Sequence, residues 1–209
     1  WNSPRTCNLR CVHCYTDSDN KIYDNELSTE EGLRLIDELA DFGIPSLLFS
    51  GGEPFMRKDL FTLLEYAAKK NIRPVISTNG TLIDRDTAQL VKDSGVVYVG
   101  ISLDGMEDIN DTFRGVQGAF ARTMKGFDNC RAVEQRVGLR LTLTRRNYMD
   151  LHRIFDFIEK EEINRACFYH LVYSGRGTSM YGDDLSHRES RDAMDIILER
   201  TADYFSRGL

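Results

Sequence analysis

Ser46-Leu47-Leu48-Phe49-Ser50-Gly51-Gly52-Glu53-Pro54 sets an apolar run of strand length directly before a turn of small, charged and ring-constrained residues. That order is expected where a buried strand empties into a loop. Further apolar runs at Pro74–Ile76, Val96–Leu103, Leu139–Leu143 and Cys167–Tyr173 end the same way. Their loops read Ser77-Thr78-Asn79-Gly80, Ser102-Leu103-Asp104-Gly105, Thr144-Arg145-Arg146-Asn147 and Ser174-Gly175-Arg176-Gly177. Helical patterns fill the intervals. Ser28 and Glu31 form a capping box ahead of Leu35, Ile36 and Leu39, and Gly43 is the stop. Leu60, Leu63, Leu64, Ala67 and Ala68 recur at helical spacing, as do Leu151, Ile154, Phe155 and Ile158. Ser186 and Glu189 cap a final helix carrying Met194, Ile197, Leu198 and Phe205.

Alternating strand and helix predicts right-handed βαβ crossovers and a parallel sheet, with Trp1–Arg5 as the tail of a sixth strand. The expected fold is therefore α/β, a partial (β/α)6 TIM-like barrel. A doubly wound open sheet would alternate in the same way. The motif-bearing residues crowd just after the apolar runs, however, and in a parallel barrel those loops share the rim where barrel enzymes build their sites. The domain expectation is a single unit over 1–209, with the partial barrel in 1–177 and a polar loop and C-terminal helix in 178–209.

The chain has 209 residues, 41% hydrophobic and 29% charged, enough to bury a core. Its 33 acidic against 27 basic residues argue against a surface made to grip nucleic acid. No apolar run has the length of a membrane span. Of the five cysteines, Cys7, Cys11 and Cys14 fall within eight residues, which reads as metal ligation and not as a disulfide framework. Cys130 and Cys167, isolated in apolar patterns, are expected to be buried packing residues. Three thiolates suit zinc, copper(I) or an iron–sulfur cluster. A zinc site would need a fourth ligand, and His13 is poorly placed beside Cys14 to supply it. A four-iron cluster held by three cysteines keeps one iron free for a small molecule.

The run Cys7-x3-Cys11-x2-Cys14, followed by Tyr15, resembles the signature of radical S-adenosylmethionine (radical SAM) enzymes. Gly51-Gly52-Glu53-Pro54 resembles their methionine-binding turn, and the likeness extends over residues 1–177. It implies that Cys7, Cys11 and Cys14 hold a [4Fe–4S] cluster, that Gly51 and Gly52 bring backbone close to S-adenosyl-L-methionine, and that the Glu53 carboxylate takes its ammonium group. By the same resemblance Ser77 and Asn79 contact the ribose region, Ser102, beside Asp104, meets the sugar, and Arg114 meets the methionine carboxylate. Leu171 packs on adenine, and the backbone of Tyr15 meets the adenine amino group. His13 stands where an aromatic residue is common and keeps a flat ring against the cluster.

Trp1-Asn2 and the stretch from His170-Leu171 to Gly175-Arg176-Gly177 resemble the tetrapyrrole-modifying branch, the haem d1 radical SAM proteins and the siroheme-derived deacetylases of the alternative haem pathway. The implied reaction starts from a 5′-deoxyadenosyl radical and removes or modifies carboxylate side chains of a didecarboxysiroheme-type substrate. Arg145, Arg146 and Arg176 would clamp the substrate carboxylates, since a guanidinium can bind both oxygens, and His170 is a further substrate candidate. The resemblance also implies a one-electron donor such as flavodoxin or ferredoxin, a cytoplasmic location, and a cysteine-rich C-terminal extension, absent here, that can carry an additional cluster. Two other readings stand beside it: a peptide-modifying radical SAM maturase, and a zinc-stabilised α/β binding protein without catalysis.

Overall fold

A computed structural model describes residues 1–208; Leu209, the last residue of the expected domain, lies outside them. Five parallel strands, β1 (Ser46–Phe49), β2 (Arg73–Thr78), β3 (Tyr98–Ser102), β4 (Val137–Leu143) and β5 (Ala166–His170), stand in the order of the sequence. The helices are α1 (Thr29–Phe42), α2 (Leu60–Lys69), α3 (Arg85–Asp93), α4 (Glu107–Arg114), α5 (Ala119–Ala132), α6 (Leu151–Lys160) and α7 (His187–Arg207). Sequential parallel order, with a helical crossover between neighbours, curls the sheet into the expected half-barrel. Trp1–Arg5, expected as the tail of a sixth strand, is not a strand of the sheet: Asn2 makes one isolated parallel bridge to Ser50, and Ser3 N donates to Ser50 O at 2.7 Å.

The capping residues act as read. Ser28 and Glu31 make both bonds of the capping box and Gly43 ends α1 at φ +83°, while Ser186 and Glu189 repeat the box on α7. Ile36, Leu63, Leu64, Ile76, Val99 and Ile101 are wholly buried where helices meet the sheet. Each contributes roughly 1.5–3 kcal/mol of burial. Cys130 is buried as expected, but Cys167 is only half-buried.

Some boundaries differ. β5 stops at His170, so Leu171 to Tyr173 leave the sheet, and Gly175–Asp183 winds into 3-10 turns where a polar loop was expected. On α7, Ala193 is buried and Ile196, Ile197 and Tyr204 pack on the core, leaving Met194, Leu198 and Phe205 exposed. Among the described residues no helix is long and apolar enough to cross a membrane.

Candidate functional site

The carboxyl ends of the strands open on a cavity of about 480 Å³. Cys7, Cys11 and Cys14 all line it, together with the backbone of Gly51 and Gly52. The cysteine loop is tied to α4 by Arg10 N to Arg114 O at 3.2 Å and Val12 N to Phe113 O at 2.9 Å. Arg176 secures it from the far side, donating through Nε to Cys11 O at 2.8 Å and through its backbone N to Cys14 O at 2.9 Å.

Each sulfur has a polar neighbour. Leu9 N donates to Cys7 Sγ at 3.4 Å, Arg114 Nη1 to Cys11 Sγ at 3.7 Å and Ser18 N to Cys14 Sγ at 3.4 Å. Burial pushes Cys7 up to about 12 and also raises Cys11. Burial alone would raise Cys14 too, but hydrogen bonds from Thr16 and Ser18 and the charge of Arg176 carry it below the ordinary thiol range. Metal binding at the first two therefore has to expel protons. Among the described residues no three His, Cys, Asp or Glu side chains converge on one ion. Three thiols facing one cavity are the soft donors that an iron–sulfur cluster takes.

Gly51 and Gly52 answer a packing demand. Gly51 sits at φ +138°, and a Cβ on Gly52 would strike the carbonyl oxygens of Arg5 and Thr6. The turn thus lies flat against the segment that leads into Cys7, with Glu53 N donating to Thr6 O at 2.9 Å.

Glu53, expected at the ammonium group, is held inside the protein. Its wholly buried carboxylate accepts from Thr78 Oγ1 at 2.7 Å, Asn79 N at 2.9 Å and Phe55 N at 3.3 Å. The side chain is spent inside the protein and does not line the cavity. Burial pushes its carboxyl up to about 7, against these donors and the charge of Arg114. Asn79 lines the cavity but is largely occupied, accepting from Thr81 N at 2.9 Å and donating to Asn8 Oδ1 at 2.9 Å. Ser77 and Ser102 also face the cavity.

Asp104 is the hub of the rim. Its Oδ1 accepts from Thr142 N at 3.0 Å, and its Oδ2 lies 2.5 Å from Arg114 Nη2 and 3.3 Å from His13 Nε2. Asn110 and Asn147 hold its backbone: Asp104 N donates to Asn110 Oδ1 at 3.1 Å, and Asn147 Nδ2 donates to Asp104 O at 2.9 Å. Burial keeps the His13 ring toward its neutral form, with Asp104 opposing. Arg114 Nε and His13 Nδ1 are buried without a hydrogen-bond partner among the described residues. Arg114 Nε is a donor that an anionic ligand would satisfy, whereas His13 Nδ1, with the ring neutral and Nε2 turned to Asp104, is an acceptor.

Several expected ligands lie elsewhere. Arg145 pairs with Glu189 at 3.0 Å and Arg146 with Asp183 at 2.6 Å, both on the exposed surface and off the cavity wall. Charge complementarity with Asp183, before α7, and Glu189, in its first turn, draws them outward. Leu171 is buried against Phe113 and Met180, so Val172, next in the chain, lines the cavity in its place. Tyr15 lines it, and its carbonyl already accepts from Ser174 Oγ at 3.1 Å. His170 and Arg176 line the cavity.

The sequence reading missed Arg140, Thr142 and Tyr169, which also line the cavity. The signal was present in Leu139-Arg140-Leu141-Thr142-Leu143. Strict alternation on a strand whose apolar face meets helices turns its polar face into the barrel. Asn147, with no exposed surface, was missed too; it also accepts from Thr144 N at 2.8 Å.

The family model described as the Radical SAM superfamily matches residues 1–158. Fe-coproporphyrin III synthase of Methanosarcina barkeri is 55% identical over 208 residues, covering 100% of this chain and 52% of that protein. Pre-heme d1 synthase of Dinoroseobacter shibae is 38% identical over 200 residues, covering 96% of this chain and 50% of its own length. The chain spans about half the length of the curated relatives it matches. Among solved structures, native anSMEcpe with bound AdoMet superposes with a TM-score of 0.83 at 20% identity, covering 99% of this chain and 60% of that one, a likeness of fold.

Proposed function

The chain belongs to the radical SAM superfamily, and from that membership we propose that it is the core of a haem-biosynthesis enzyme modifying the carboxylate side chains of a tetrapyrrole of the didecarboxysiroheme type. The observation that carries the reading is the gathering of Cys7, Cys11 and Cys14 on one cavity with the Asp104–Arg114 pair beside them. The identity to Fe-coproporphyrin III synthase supports a tetrapyrrole over a peptide as substrate. The Cys7-x3-Cys11-x2-Cys14 spacing, with all three residues on one cavity, supports a cluster over the zinc-stabilised alternative.

When bound, the [4Fe–4S] cluster supplies one electron and S-adenosylmethionine the 5′-deoxyadenosyl group that takes hydrogen from the substrate. The protein's work is positioning. Cys7, Cys11 and Cys14 hold the cluster. Arg114, oriented by Asp104, offers its free Nε to the methionine carboxylate, while the Gly51–Gly52 backbone and not the Glu53 carboxylate faces the amino group. Ser77, Asn79 and Ser102 stand toward the ribose, and Tyr15 and Val172 frame the adenine. His13, kept neutral by burial, closes the wall beside the cluster without adding a second cation next to Arg114. A cytoplasmic setting, a flavodoxin or ferredoxin as electron donor, and a further cluster in the remainder of the full-length protein complete the reading.

Anaerobic reconstitution of the full-length protein with iron and sulfide, followed by dithionite, S-adenosylmethionine and didecarboxysiroheme, tests it. The expected result is brown protein, release of 5′-deoxyadenosine and a fall in tetrapyrrole mass. Iron in excess of one cluster would mark the further one. Colourless zinc-loaded protein with intact S-adenosylmethionine would overturn the assignment, and 5′-deoxyadenosine release with unchanged tetrapyrrole would overturn the substrate alone.

A further inference from the structure

Three arginines reach the cavity, and two are already committed. Arg114 pairs with Asp104 at 2.5 Å and donates to Cys11 Sγ at 3.7 Å. Arg176 is spent on Cys11 O at 2.8 Å, Asp17 Oδ1 at 2.8 Å and Ser18 O at 2.9 Å. Arg140 differs. Its guanidinium, half-buried on the cavity wall, makes no hydrogen bond or ion pair among the described residues. It lies over the ring of Tyr169, 4.8 Å from the centroid, and that ring lines the same cavity.

The strand register places it. Arg140 stands between Ser102 of β3 and Cys167 of β5, on the inward face it shares with Thr142. Its stem crosses β3 over Gly100, where a Cβ would come within 2.7 Å of Arg140 Cδ and 3.2 Å of its Cγ. A glycine at that point clears the path the side chain takes across the interior. A partly desolvated cation with no carboxylate in ion-pair contact is costly unless something else completes it. The cation–π contact with Tyr169 holds the guanidinium without using its N–H groups, which stay free for a planar, bidentate acceptor.

We propose that Arg140, on its Tyr169 platform, is a specificity-determining residue that binds a carboxylate of the substrate within the barrel. This rests on the tetrapyrrole reading above and names the residue that holds the substrate acid, the role that Arg145 and Arg146 cannot fill from the outer surface. The ligand it takes is a carboxylate on an otherwise apolar ring system. A bidentate guanidinium–carboxylate contact also fixes the orientation of the ring, and so selects which side chain faces the reacting centre.

The test uses full-length, cluster-reconstituted protein titrated with iron coproporphyrin III and, separately, with its fully methylated ester, followed by the shift of the Soret band. Wild type is expected to favour the acid. Arg140→Gln is expected to lose acid affinity by roughly 10- to 100-fold, the range for a charge-assisted contact, with ester affinity and cluster iron unchanged. Arg140→Lys keeps the charge without the fork and is expected to retain part of the preference. Equal binding of acid and ester by wild type overturns the role of Arg140 and leaves the tetrapyrrole reading standing. Equal losses for both ligands in Arg140→Gln mean a merely structural side chain and overturn it too. Should that variant not fold, an Arg140→Lys acid-to-ester ratio equal to wild type is the overturning result. No Soret shift with either porphyrin overturns this proposal, while the tetrapyrrole reading is judged separately by the didecarboxysiroheme turnover test.

Discussion

Glu53, in the glycine turn after β1, and Thr78, the last residue of β2, are joined by a buried 2.7 Å hydrogen bond from hydroxyl to carboxylate. With Asn79 N on the other carboxylate oxygen at 2.9 Å, this strut fixes the separation of two adjacent rim loops. A residue read as a ligand contact thereby becomes a positioning residue, and its removal has structural consequences.

Glu53→Ala leaves the Thr78 hydroxyl and the Asn79 and Phe55 amides without their acceptor. Unsatisfied buried donors cost about 1–3 kcal/mol each, partly recovered by relaxation, so the variant is expected to lose about 3 kcal/mol in urea denaturation. Cluster iron and S-adenosylmethionine binding are expected to fall together. Unchanged stability with selective loss of S-adenosylmethionine binding would return the carboxylate to ligand duty.

The same group gives a pH signature. Burial raises its folded pKa from 4.5 to about 7, so the folded state holds a proton the unfolded state has released. The stabilising protonated form is fully present below about pH 4.5 and is lost as pH rises through about 7. Urea midpoints at a series of pH values across that window should fall with rising pH in wild type, and the difference should flatten in Glu53→Gln.

Gly52→Ala would drive a methyl group into the carbonyls of Arg5 and Thr6, immediately before Cys7. We expect this substitution to displace the cysteine loop and reduce iron uptake severely. Gly182→Ala serves as the control, since a Cβ there meets nothing within 4 Å. Equal iron contents in the two variants would refute the backbone-contact account.

Arg145 is assigned to the surface, so Arg145→Ala is expected to leave porphyrin binding and 5′-deoxyadenosine release intact. Its effect should appear in acid. Ser186, then Arg145, hold the half-buried Glu189 carboxyl down at about 2. The stability this supplies is present above about pH 4.5 and is lost as pH falls toward 2. Removing Arg145 is expected to move acid melting of α7 to higher pH, which a circular dichroism titration would read.

Elements written in local chemistry were legible in the sequence. The capping boxes at Ser28 and Ser186, the stop at Gly43, the strand-helix rhythm and the Cys7-Cys11-Cys14 spacing each depend on residues within one or two turns of chain. The parallel sheet follows from that rhythm, because parallel neighbours require crossovers and crossovers have one hand; the choice of a half-barrel over an open sheet rested on the motif-bearing loops sharing one rim. Side-chain direction at the rim is not local. Whether Glu53 faced a ligand or Thr78, whether Leu171 or Val172 met the cavity, and whether Arg140 or Arg145 could hold a substrate acid were fixed by which neighbour stood opposite. Strand alternation separates two faces without saying which is the interior. Sheet curvature and the ion pairs drawn from residues 37 to 44 positions away made that choice, turning Arg140 inward and Arg145 and Arg146 toward Glu189 and Asp183.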